Sequence, residues 1–202
     1  GKSYCQRTIS KCTTIGGKPL EYFTIVTDRH SLAIIQEDPR AHYVYIPPVG
    51  ADWSVMRETL KNTSYLSYAS LCDLKGGVQK DKCRQMLEVV DSLNSFKCEH
   101  CGIDFGDMTK WGTDRVFILD HLSGLSEMSR QLTVGLRQVM TQGEYGVSMQ
   151  NIYNLLTAII RNSQCHIAVM AHIEMEKDEV SGLIYQMVQT LGRKLAPELP
   201  KE

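Results

Sequence analysis

Arg115-Val116-Phe117-Ile118-Leu119-Asp120, running on into His121-Leu122-Ser123-Gly124-Leu125, sets four apolar residues in a row between an arginine and an acid. Such a run fits a strand buried on both faces, as the strands of a parallel sheet are. An acid at the carboxyl end of that strand sits where open α/β sheets bind ligands. A carboxylate there is costly unless a cation or hydrogen-bond donors face it. The alternative reading makes Asp120 a turn or N-cap residue ahead of the next helix.

Upstream, the chain opens Gly1-Lys2-Ser3. This tripeptide reads as the end of a phosphate-binding loop, G-x-x-x-x-G-K-[ST], with the preceding strand and part of the loop expected to be missing. An ordinary terminus is the other reading. Taken together, the two pieces predict a nucleotide triphosphatase. Gly1, Lys2 and Ser3 would hold the nucleotide, Lys2 would reach its β- and γ-phosphates, and Mg²⁺ would sit between Ser3 and Asp120.

Between these ends the pattern alternates. Cys5, Ile9 and Cys12 fall at helical spacing. Gly16-Gly17-Lys18-Pro19 is a turn, because proline removes an amide donor where a phosphate loop needs one. Tyr22 to Val26 and His42 to Ile46 read as strands, with a short helix from Ser31 to Gln36 between them. A helical pattern runs from Ser54 to Leu93, broken at Lys75-Gly76-Gly77, and residues 95–111 form an irregular insertion. Past Asp120, Leu125, Met128, Leu132, Leu136 and Val139 make one helix face. Gly143-Glu144-Tyr145-Gly146 is expected to interrupt it as a loop, before a second helix from about Ser148 to Asn162. His166 to Ala171 reads as another buried strand, ending at His172, and the tail alternates around Ser181-Gly182 like a hairpin. Strands alternating with helices predict an α/β fold, a mostly parallel sheet with helices on both faces.

Composition frames this reading. The 202 residues are 43% hydrophobic, enough for a single domain with a sizeable core. A net charge of -1 excludes a globally basic nucleic-acid binder, leaving only a local patch. No apolar run is long enough to span a membrane, so no membrane partner is expected. Seven cysteines, an odd number at low density, fit reduced thiols and a cytoplasmic location.

The order of elements, with the texts RVFILDHLSGLSE (115–127), HIAVMAHIE (166–174) and TLGRKLAPELP (190–200), resembles the RecA-like ATPase core. Within it the chain looks like the small bacteriophage ATPases linked to recombination and single-strand annealing. That resemblance implies ATP and Mg²⁺ as ligands, single-stranded DNA as partner and a homo-oligomer, ring or filament. It implies two mobile DNA-binding loops, Gln142 to Ser148 and Ile173 to Met187, where Tyr145 and Tyr185 could stack on bases or serve only as surface packing. Glu144, Glu174, Glu176, Asp178 and Glu179 in the same loops would repel phosphates. It also implies trans-acting cations, for which Arg193 and Lys194 are candidates, with a plain solvated pair as the alternative. Asp28, ending the Tyr22–Val26 strand, could orient the attacking water or cap the next helix. His172 could sense the γ-phosphate or be structural. The competing functions are a nucleotide-dependent switch that does not act on DNA, and a catalytically silent structural subunit.

Cys98-Glu99-His100-Cys101-Gly102 looks like one knuckle of a zinc site. Zinc needs four ligands, and no second C-x-x-C pairs with this one, so zinc is not the favoured reading. Two reduced surface cysteines are expected instead.

Overall fold

A computed structural model describes residues 8, 11–14, 16–50, 52–73, 79–177 and 184–188. Four strands, β1 (Glu21–Val26), β2 (Ala41–Tyr45), β3 (Arg115–Asp120) and β4 (His166–Met170), pair in parallel in the order β2-β1-β3-β4. Register aligns their carboxyl ends. Val26 pairs with Tyr45 on one side and Asp120 on the other, and Asp120 pairs with Met170.

Side chains alternate across this sheet, as the pleat requires. Phe23, Ile25, Phe117 and Leu119 enter the larger core. They meet Met86 and Val89 of α4 (Gln85–Asn94), Leu122, Leu125 and Met128 of α5 (Leu122–Val134), and Ile152, Leu156 and Ile159 of α6 (Gln142–Asn162). Tyr22, Val26, Val116 and Ile118 form the second face with Ile35 of α1 (Arg29–Ile35). The α/β class with helices on both faces is therefore observed. Two further helices, α2 (Trp53–Tyr65) and α3 (Tyr68–Cys72), follow β2. An antiparallel hairpin, β5 (Ile173–Lys177) with β6 (Ile184–Val188), follows β4.

Three expectations are corrected. The helix after β3 stops at Val134 rather than reaching Val139, because Gly135 turns the backbone to φ 65°. Gly143-Glu144-Tyr145-Gly146 is not a loop but part of the first turn and a half of α6. Each glycine costs about 1 kcal/mol against alanine in a helix. A capping box offsets this: the Thr141 hydroxyl accepts from Glu144 N, and the Glu144 carboxylate accepts from Thr141 N. Glu144 also pairs with Arg137, and the buried stripe downstream holds the rest of the helix. Finally, β4 is not fully buried. As a terminal strand of the sheet it leaves His166 exposed and Val169 39% exposed. Within the irregular 95–111 insertion, Phe96, Cys98, Met108 and Trp111 all lie in the main core.

Candidate functional site

The aligned carboxyl ends of β1 and β3 build one compact polar site. Thr27 N donates to the Asp120 carbonyl at 2.7 Å, and the Thr27 hydroxyl accepts from His121 N at 3.0 Å. These bonds continue the β1–β3 ladder past its last paired residues and fix where α5 starts. Gly124 lies so close to Thr27 that a Cβ would stand 2.2 Å from its hydroxyl oxygen. Only glycine fits that approach.

His121 is the N-cap of α5, and its Nδ1 accepts from Gly124 N at 3.0 Å. An accepting Nδ1 places the proton of the neutral ring on Nε2. That Nε2 lies 3.6 Å from Asp28 Oδ2. The exposed His172, just past β4, sets its ring edge-on to His121 with 5.1 Å between centroids. Asp28, His121 and His172 thus form a line across the sheet edge beside Asp120.

Asp28 caps α1. Its Oδ1 accepts from His30 N and Ser31 N at 2.8 and 2.9 Å, and its Oδ2 accepts from the Ser31 hydroxyl at 2.7 Å. Burial pushes its carboxyl up, but the backbone and hydroxyl of Ser31, the amide of His30 and the nearby His121 together hold it below the usual value. Asp28 is thus held ionised, with the Nε2 of an imidazole facing one oxygen. With Nδ1 engaged by Gly124 N and the proton on Nε2, the imidazole can only donate; such a pair can orient a water, with the Asp28 carboxylate as the acceptor.

Asp120 is 1% exposed, on the same face parity as Val116 and Ile118. A carboxylate at a strand end offers the type of hard oxygen that Mg²⁺ prefers. The other residues expected at the nucleotide, Gly1, Lys2 and Ser3, lie outside the described residues, as do Arg193 and Lys194. Tyr145 is a half-buried helical residue rather than a loop residue. The side chain of Tyr185, in β6, lies outside the described residues.

Sequence reasoning missed the roles of Thr27, His121 and Gly124. A polar residue directly after the acid, followed three residues later by glycine, was a legible cap signal. The contact with Thr27 was not, because it joins residues 94–97 positions apart.

The expectation of two surface cysteines also fails for one of them. Cys98 is 1% exposed, while Cys101 is exposed. His42 of β2 lies beside both. No helix among the described residues is long and apolar enough to cross a membrane. Compared with known proteins, the chain matches no family model, no curated protein and no solved structure.

Proposed function

We propose that this chain is a RecA-like ATPase that binds and hydrolyses ATP at the carboxyl edge of its parallel sheet. The observation that carries the reading is that a buried strand-end carboxylate, Asp120, and the Asp28–His121 pair stand at the ends of adjacent aligned strands. Open α/β sheets place their ligands at this edge. Lys2 would lie against the β- and γ-phosphates, and Ser3 and Asp120 would hold Mg²⁺. Bound Mg²⁺ neutralises charge that develops on the transferred phosphoryl group. Asp28 and His121 orient the attacking water, and His172 reports the state of the nucleotide to the β5–β6 hairpin that follows it. Arg193 and Lys194 would serve a neighbouring subunit of an oligomer.

Single-stranded DNA is the partner that the family resemblance implies. One observation favours the runner-up, a nucleotide-dependent switch that does not act on DNA: Tyr145 belongs to a capped helix, with Glu144 beside it. Two assays test the reading. Mg²⁺-dependent ATP hydrolysis should be lost in Lys2→Ala and Asp120→Asn. Fluorescently labelled single-stranded DNA should bind more tightly with ATP and Mg²⁺, with affinity falling steeply as salt rises. Hydrolysis without DNA binding would select the switch; neither activity would leave a silent structural subunit.

A further inference from the structure

The C-x-x-C segment does more than fill a loop. Cys98 N donates to the Ile103 carbonyl and Gly102 N to the Cys98 carbonyl, both at 2.9 Å, and Lys97 bridges Asp104 in antiparallel fashion. Gly102 takes φ 72°, a conformation that favours glycine and lets the chain reverse directly after Cys101. The result is a tight knuckle with both sulfurs on one side.

This knuckle is docked on the outer edge of β2. Glu99 N donates to the Tyr43 carbonyl at 2.9 Å, and the Glu99 carboxylate accepts from Tyr45 N at 2.8 Å. His100 Nδ1 lies 3.3 Å from the Ala41 carbonyl. An otherwise open sheet edge is thereby covered. Docking brings the knuckle to His42, whose ring is stacked on Phe23 at 4.9 Å and tilted against Phe105 at 4.4 Å between centroids. The imidazole is therefore held by aromatic walls in one place.

We propose that His42, Cys98 and Cys101 bind a zinc ion, with water in the fourth position. Their ligand atoms all lie within 4.8 Å of one another. His42 Nδ1 and Cys101 Sγ are 3.7 Å apart. Zn–S of about 2.3 Å and Zn–N of about 2.0–2.1 Å at a tetrahedral angle require about 3.6 Å between those atoms. Two thiolates and an imidazole are a donor set suited to zinc and unsuited to Mg²⁺ or Ca²⁺. Cys98 is buried and Cys101 exposed, so the three ligands lie at the boundary between core and surface. Binding releases the two thiol protons and ties the 96–106 hairpin to β2. The site flanks the amino-terminal half of the sheet, where His42 pairs with Phe23 and Phe23 with Phe117, away from the carboxyl edge. It is independent of the nucleotide reading, and its three protein ligands with an open position differ from the closed four-ligand set of a purely structural zinc.

Its test is direct. The full chain, purified under reducing conditions and stripped with a chelator, is titrated with Co²⁺. One equivalent should give tetrahedral d–d absorption and thiolate-to-cobalt charge transfer, both bleached by Zn²⁺. Cys101→Ser, at an exposed position that should not disturb folding, should weaken binding beyond the roughly 10–100-fold typical of losing an outer-shell partner. His42→Gln should do the same, and Cys12→Ser, at another exposed thiol, should change nothing. Zinc should raise the melting temperature of the stripped protein but not that of Cys101→Ser. A cobalt complex without tetrahedral bands, binding unchanged in Cys101→Ser, or a Cys98–Cys101 disulfide in protein prepared without oxygen would each overturn the assignment.

Discussion

Replacing Gly124 by alanine should loosen the joint between β1 and α5. The added Cβ would stand 2.2 Å from Thr27 Oγ1, 2.5 Å from Thr27 Cβ and 3.2 Å from Thr27 Cγ2. Thr27 is 3% exposed and its hydroxyl holds His121 N, so no rotamer change clears the clash without breaking that bond. Thr27 Cβ is fixed by backbone, so the start of α5 must move outward. Overpacking of this kind costs about 1–3 kcal/mol. Alanine recovers at most about 1 kcal/mol of helix propensity. With the clash at the upper end of that range, as approaches of 2.2 and 2.5 Å demand, the net loss should be about 2 kcal/mol, or a fall of a few degrees in melting temperature. Urea unfolding should show the midpoint lowered at constant slope. Gly143→Ala is the internal control: its Cβ meets nothing within 4 Å, so the same change on α6 should stabilise. Thr27→Gly removes all three clashing atoms, and in that background Gly124→Ala should cost little. A Gly124→Ala protein as stable as its parent, or a strictly additive double variant, would refute the reasoning.

Asp28→Ala should remove the α1 cap and cost about 0.5–2 kcal/mol, whereas Asp28→Asn should keep the cap and, under the proposed mechanism, slow ATP hydrolysis without weakening ATP binding. Unchanged turnover in Asp28→Asn, read by phosphate release, would reduce this residue to a cap. Glu144→Gln should destabilise by about 1–3 kcal/mol, because it neutralises the partner of Arg137, which is 9% exposed, and weakens the capping box. The hydrogen bond from Thr141 N, outweighing burial and joined by Arg137, holds the Glu144 carboxyl below its ordinary value. Its stabilisation is therefore full above the unfolded value of about 4.3 and is lost as pH falls through the folded value. Midpoints of parent and Glu144→Gln should converge on acidification, and a gap that stays constant with pH would contradict this. Tyr145→Ala should weaken single-strand binding by about 1–3 kcal/mol if the ring stacks on a base, and a null effect in a fluorescence titration would leave it a packing residue of α6.

The sequence by itself determined the parallel sheet. An unbroken Val116–Leu119 run fits a strand buried on both faces, and strand-helix alternation around it points to parallel crossovers. It also marked Asp120 and Asp28 as strand-end acids, since that signal is local. Tertiary structure decided the rest. The glycines at 143 and 146 argued for a loop by propensity, yet a capping box, the Arg137 pair and the buried stripe of α6 together outweigh about 1 kcal/mol per glycine. His121 gained its role only when β1 and β3 aligned and brought Asp28 to its Nε2. His42 stands more than fifty positions from Cys98, so no spacing rule could join them; docking of the knuckle on the β2 edge does. Local sequence encodes periodicity and caps because those depend on neighbours three or four residues away. Sites depend on which strand ends and edges meet, and that is fixed only when burial of both sheet faces selects one packing.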